Sequence, residues 1–235
     1  MRFPQPLLAA TLQRRYKRFL VDCILADGNE VTCHCANTGA MTGLNLPGMP
    51  VLLSFHDQKS RQFPFSLELV DDHSSWVGVN TSLANQVVAE ALTLRTIEPL
   101  HPWPTWRREV PFLDKNRLDF LLTGSDKKNC FLEVKSVTLR TGRSARFPDA
   151  ITQRGVRHLH ALSIAVDQGF EAMILYLVQR DDCTHFSPAA DIDPLYADAL
   201  RRAIAHGVQA LSVSCRVTPE EITVSDVLPM EFPGS

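Results

Sequence analysis

A small β-barrel followed by a mixed β-sheet flanked by helices is the fold class that this sequence predicts. Three observations lead there. Residues 1–80 form a series of short apolar runs parted by turn residues, with no helical repeat among them. From residue 82 onward the pattern becomes helix, three strands, helix, strand, helix, strand. No internal repeat or low-complexity segment interrupts either half, so the chain reads as two domains, 1–80 and 81–235.

The strand candidates of the first domain are TLQRRYKRFLVDCIL (11–25), EVTCHC (30–35), PVLLSF (50–55), FPFSLELV (63–70) and SWVGVN (75–80). ADGN (26–29), NTGAMTG (37–43) and LPGMP (46–50) supply the turns between them. A set of about five strands is best closed on itself, because closure removes exposed edges. The length and strand count suit an OB-like barrel.

In the second domain SLANQVVAEALTLR (82–95) repeats apolar residues at helical spacing, with Thr81 or Ser82 as the expected N-cap. A Pro/Trp-rich stretch, LHPWPTW, leads to REVPF and then to the runs LDFLL and CFLEVKSV. A second helix is expected over 149–168, capped by Asp149 after Pro148 and ended by Gly169. AMILYLVQ (172–179) has no alternation and reads as a strand buried on both faces. A third helix covers 194–206, with Asp193 as N-cap, Pro194 in the first turn and Gly207 past its end; VQALSVSCRV (208–217) is a further strand. The result is a mixed sheet flanked by helices.

The bulk numbers exclude several classes. A net charge of −2 is not that of a polycation, so any nucleic-acid binding must use a local basic patch. No apolar run approaches the ~20 residues that span a bilayer. MRFPQPLLAATLQRRYKRF does not read as a signal peptide, and the six scattered cysteines read as reduced, buried thiols. The expected location is the cytoplasm, with the nucleoid as one option, and no membrane partner. Cys33-His34-Cys35 lacks a second ligand pair at zinc spacing, so its cysteines are expected to pack inward.

RLDFLLTGSDKKNCFLEVKSVTL (117–139) carries the chemistry. Glu133 and Lys135 share a strand face by alternation. Asp119 joins them if Asp119 faces Glu133 and Leu122 faces Cys130, which leaves TGSDKKN (123–129) as the turn. Both strands are apolar on both faces, so they are interior, and burying unpaired carboxylates there is costly. Asp119, one oxygen of Glu133 and the Val134 carbonyl would make an oxygen-only site suited to Mg²⁺ or Mn²⁺. Such an ion acidifies water and stabilises charge at phosphorus, with Lys135 positioning both. Glu90, on the apolar stripe of the first helix, is a further catalytic candidate. Arg140, Arg143 and Arg146 follow Lys135 with no acid until Asp149, and are candidate phosphate contacts. Arg14, Arg15, Lys17 and Arg18 interleave with Tyr16 and Phe19, as in a strand-tracking OB surface. Arg154 and His158, spaced i,i+4, are placed to face the same cleft.

The chain resembles the sugar fermentation stimulation protein A family along nearly its whole length. RYKRFL (15–20), HCANTGAMTG (34–43), WVGVNT (76–81), DFLL (119–122), EVKSVTL (133–139), FPDAITQRG (147–155) with HL (158–159), and IDP-x-YA (192–197) fall in family order. The resemblance implies an N-terminal OB-like domain and a C-terminal domain of the PD-(D/E)xK nuclease type, with an αβββαβ core. It maps that family's carboxylates and lysine onto Asp119, Glu133 and Lys135. It also implies non-specific DNA binding and regulation of maltose and sugar metabolism genes. Ala36 stands where a proline is expected, FSLELV lacks a tryptophan, and Gln153 replaces a glutamate. Two functions therefore compete: a Mg²⁺-dependent DNA phosphodiesterase, and a non-enzymatic DNA-binding regulator. A metal-binding adaptor without DNA affinity is a third. The oligomeric state is left open.

Overall fold

The computed structural model describes residues 1–58, 61–113, 116–125 and 127–232. The first domain uses strands β1 (Leu8–Tyr16), β2 (Leu20–Leu25), β3 (Glu30–His34), β4 (Pro50–Phe55), β5 (Phe65–Asp71) and β6 (Trp76–Gly78). Their order is β3-β2-β1-β4-β5-β6, and a parallel β3–β5 pairing closes the first five into a barrel. Leu12, Val21, Cys33, Leu53 and Leu67 fill it from alternating strand positions. Cys33 and Cys35 pack inward with Cys23, and all six thiols are free and buried.

The run 11–25 is a hairpin rather than one strand. It reverses at Lys17–Phe19 without glycine, proline or asparagine, using positive φ at Lys17 (51°) and Arg18 (66°). Short-range turn chemistry gave no warning of it.

The second domain contains α1 (Ala84–Leu94), β7 (Thr105–Phe112), β8 (Asn116–Thr123), β9 (Cys130–Val137), β10 (Leu139–Thr141), β11 (Ser144–Phe147), α2 (Gln153–Asp167), β12 (Glu171–Val178), β13 (His185–Pro188), α3 (Pro194–Ala205), β14 (Gln209–Val217) and β15 (Ile222–Val227). Its main sheet runs β15-β14-β12-β9-β8-β7, with β9, β12 and β14 parallel. The αβββαβ order therefore holds, with a short β10-β11-β13 sheet added that periodicity did not show. One face of the sheet packs Leu132 and Leu175 in a cluster with Val88 and Leu92 of α1; the other packs Phe131 and Tyr176 in a cluster with Leu159 of α2 and Leu200 of α3.

Two caps differ from expectation. Asn80 caps the turn before α1, accepting from Ser82 N, and α1 itself starts after Leu83 with no side-chain cap. Thr152, not Asp149, caps α2 by accepting from Gly155 N. Asp193 caps α3 as expected, accepting from Tyr196 N, and its other oxygen takes Thr152 N–H at 2.8 Å. Gly155 is required here, since a Cβ would come within 2.9 Å of the Tyr196 ring. Among the described residues no helix is long and apolar enough to cross a membrane.

The domains are joined by a charged cluster. Arg180, 2% exposed, forks onto Asp182 at 2.6 and 2.7 Å, reaches Asp72 of the barrel, and donates to Thr138 O at 3.0 Å.

Candidate metal and phosphate site

The site begins where a β-ladder stops. β8 pairs with β9 at Leu122↔Cys130, Leu121↔Phe131 and Phe120↔Leu132, the register expected from the sequence. The connecting turn includes Asp126, which lies outside the described residues. Past Phe120 the strands part. Asp119 then uses its own Oδ2 to accept the Val134 N–H at 2.8 Å, while Oδ1 accepts from Asn85 Nδ2 at 2.7 Å. A side chain has replaced a ladder bond, and a cleft of about 460 Å³ opens over β9.

Glu133 and Lys135 share the strand face of Phe131 and Val137, opposite Leu132 and Val134, and so point toward α2. Lys135 Nζ donates to Glu133 Oε1 at 2.5 Å, and His158 Nδ1 bonds the same oxygen. Arg154 Nε donates to His158 Nε2 at 3.3 Å, which leaves Nδ1 as the protonated nitrogen facing Glu133. Glu133 Oε2 is buried and has no hydrogen-bond partner among the described residues.

The two carboxyls are pushed apart. Burial raises Asp119, and the Glu133 charge adds to it, against the Val134 N–H and Asn85; the group lies above its ordinary value. Burial also raises Glu133, but the Lys135 ammonium and His158 outweigh it and leave the group below its ordinary value. Among the described residues no three His, Cys, Asp or Glu side chains converge on one point, so a cation here would rest on two carboxylates, the Val134 carbonyl and water.

Asp119, Glu133, Val134, Lys135, Arg146, Arg154, His158 and Arg18 all line the cleft. Glu90 does not. It lies outside and pairs with the Met1 amino group at 2.8 Å, 42% exposed. Arg14 pairs with Asp22 at 2.7 Å, and Lys17 is exposed beside the cleft without lining it. Arg15 is occupied by backbone carbonyls of the barrel. Arg140 joins Asp72 and Asp182, and Arg143 stands exposed at the β10–β11 turn, so neither lines the cleft. Arg146 lines it while paired with Asp191.

Sequence reasoning missed three contributors. Asn85 orients Asp119, and its only signal was an amide in the first turn of α1. The loop Asn37–Gly39 brings the barrel to the cleft, and its polar Asn-Thr-Gly run read merely as a turn. Asp149 takes the Met41 N–H at 2.9 Å instead of capping a helix.

Residues 14–79 match the SfsA N-terminal OB domain, and residues 82–221 match the sugar fermentation stimulation protein RE domain. A sugar fermentation stimulation protein homolog of Magnetococcus marinus is 51% identical over 224 residues, covering 95% of this chain and 96% of that one. The homolog of Rhodospirillum centenum is 48% identical over 229 residues, covering 97% and 98%. The solved structure of Pyrococcus furiosus SfsA in complex with Ca²⁺ superposes with a TM-score of 0.88 at 25% identity, covering 98% of each chain. With both domains matched in order and half of the residues shared with curated relatives, the chain belongs to the sugar fermentation stimulation protein family.

Proposed function

We propose that the protein is a divalent-metal-dependent DNA phosphodiesterase of the PD-(D/E)xK type, in which residues 81–235 carry the hydrolytic site and residues 1–80 help hold the nucleic acid. It would act in the cytoplasm, at the nucleoid. The observation that supports this best is Glu133 Oε2, a buried carboxylate oxygen with no hydrogen-bond partner among the described residues, on a group whose other oxygen is held by Lys135 and His158. An ionised oxygen left unpaired in the interior costs free energy that a cation would remove.

The donors fit Mg²⁺ or Mn²⁺: two carboxylates and a carbonyl, all oxygen, with open space for waters. Such an ion, when bound, supplies positive charge at the phosphoryl oxygens and acidifies water. The Ca²⁺ complex of the Pyrococcus furiosus relative supports a hard-cation site. The chain's own groups do the rest. Val134 N–H and Asn85 aim Asp119. His158 and Lys135 fix Glu133 through one oxygen and leave the other to bind. Lys135, 12% exposed at its side chain, is placed to hold a phosphoryl oxygen or pass a proton to the attacking water. Arg146 and Arg154 add phosphate contacts.

The test is cleavage of single-stranded, duplex, flap and RNA substrates with Mg²⁺ or Mn²⁺. Cutting should vanish with chelator and in Asp119→Ala and Lys135→Ala proteins. A clean, metal-replete preparation that cuts none of these substrates ends the proposal.

One observation favours a second reading, a non-enzymatic DNA-binding regulator of sugar metabolism genes. Asp119 has two internal donors and Glu133 Oε1 has two more, so most of the acidic charge is already compensated. On that reading Asp119→Ala protein keeps its biological effect, and binding weakens steeply with salt.

A further inference from the structure

One wall of the cleft belongs to the barrel: Arg18 from the β1–β2 turn, and Asn37, Thr38 and Gly39 from the loop after β3. Arg15 builds that wall. Its Nε and Nη2 donate to Arg18 O at 3.2 and 2.7 Å, Nη2 donates to Asn37 O and Gly39 O at 2.8 Å each, and Nη1 donates to Ala40 O at 3.1 Å. The loop is also pinned to the second domain, by Met41 N to Asp149 at 2.9 Å and by Thr81 Oγ1 to Ala36 O at 3.1 Å. A Cβ on Gly39 would collide with the Asp149 carboxylate, so this close approach needs glycine.

The turn itself is strained. Lys17 and Arg18 both hold the left-handed conformation, which is unfavourable for a residue with a Cβ. Strain of this kind concentrates where a side chain must be aimed. Arg18 lines the cleft and its guanidinium has no ion-pair partner among the described residues, while the next residue in the chain, Phe19, is 43% exposed. In the hollow on the other side of β1 and β2, Arg14 is paired with Asp22, and Glu30 lines the same space.

Resting on the nuclease reading, we propose that this clasp makes the cleft a site for a single nucleic-acid strand and not for a duplex. The carboxylates lie between this wall and residues 146–152 of the second domain, in a space of about 460 Å³. That volume is the size class of one small ligand, which suits a nucleotide of one strand and not two paired strands side by side. A single strand can lower one phosphate to the carboxylates, give a neighbouring phosphate to Arg18, and stack a base on Phe19. Arg15 touches no phosphate and is a positioning residue.

The test is fluorescence anisotropy on the full-length Lys135→Met protein in Mg²⁺, with a 12-nucleotide oligothymidylate and a 12-base-pair duplex, over a salt series. The oligothymidylate should bind at least tenfold more tightly than the duplex. Arg18→Ala should weaken it three- to tenfold and lower the slope of log K against log salt by about 0.7, one phosphate contact on a single strand. Arg15→Met should lose the same slope, and Lys17→Ala should lose none. Equal or tighter duplex binding overturns the proposal, as does an unchanged slope in Arg18→Ala, whose exposed turn leaves folding intact. Duplex cleavage indifferent to Arg18→Ala would sink the clasp and keep the nuclease. Strand binding with these slopes but no cleavage in any metal would do the reverse.

Discussion

Replacing Lys135 with methionine separates a metal site from a plain buried ion pair. Lys135 Nζ lies 2.5 Å from Glu133 Oε1, with side-chain exposures of 12% and 3%. At an effective dielectric of 20 that attraction is about 7 kcal/mol before desolvation is subtracted. Removing one partner of a buried pair typically costs 3–5 kcal/mol. His158 still holds the same Glu133 oxygen, so the lower end, about 3 kcal/mol, applies to the metal-free protein. For a chain of this size that is roughly 6–12 °C of melting temperature. The metal response should move the other way. Ammonium and cation compete for one acidic cluster, so Lys135→Met should bind Mn²⁺ more tightly, each tenfold adding about 1.4 kcal/mol of stabilisation at saturating ion. Calorimetry in chelator and in Mn²⁺ reads both effects. Glu133→Gln should be destabilised similarly but not recover with Mn²⁺. If Lys135→Met melts like the parent in chelator, or if Mn²⁺ shifts the parent and both variants equally, no ion rests on Glu133.

Three further outcomes are expected. Glu133, held below its ordinary value, contributes stability above the usual carboxylate range and loses it as pH falls through its lower folded value. Asp119, held above its ordinary value, behaves oppositely: its favourable contribution is lost as pH rises through the raised value, so its ionised form weighs against the metal-free fold at neutral pH. The Mn²⁺-induced gain in melting temperature should therefore grow as pH rises from the ordinary carboxylate range through the raised Asp119 value, and Asp119→Asn should flatten that growth. His158→Ala should weaken Mn²⁺ binding about ten- to hundredfold by titration calorimetry, as loss of a ligand-orienting bond does, and an unchanged affinity would remove its role. Glu90→Gln should leave cleavage and metal affinity intact and cost about 1 kcal/mol of stability, because Glu90 is itself 42% exposed and the buried Met1 amino group keeps its bond to Ile222 O.

The parts of the site legible in the sequence were those that follow from a two-residue period. Alternation in CFLEVKSV put Glu133 and Lys135 on one face, and the register that would bring Asp119 to them, Leu122↔Cys130, is the one that forms. What stayed hidden depends on partners distant in the chain. Asp149 after a proline reads as a helix cap, but its carboxylate is taken by Met41, 108 positions away, and Thr152 caps instead. The basic run Arg14–Arg18 reads as one binding face. In the fold it divides into an ion pair, a backbone clamp and two turn residues, because a hairpin forms where no turn residue marks it. The strands β10, β11 and β13 span three to four residues each, too short to show a period.

The end of the β8–β9 ladder bears most directly on whether this is a working site. A sheet built only for stability would continue pairing past Phe120↔Leu132 and set an apolar residue opposite Glu133. Here the strands separate, a backbone N–H is handed to the Asp119 carboxylate, and that carboxylate is held beside a second one that raises its pKa. The second keeps one oxygen unpaired in the interior. The lost ladder pairing, the crowded Asp119 charge and the open Glu133 oxygen each cost stability in the metal-free chain. Their sum points at a single place, and an ion resting there would relieve the mutual repulsion of the carboxylates and satisfy the open oxygen together.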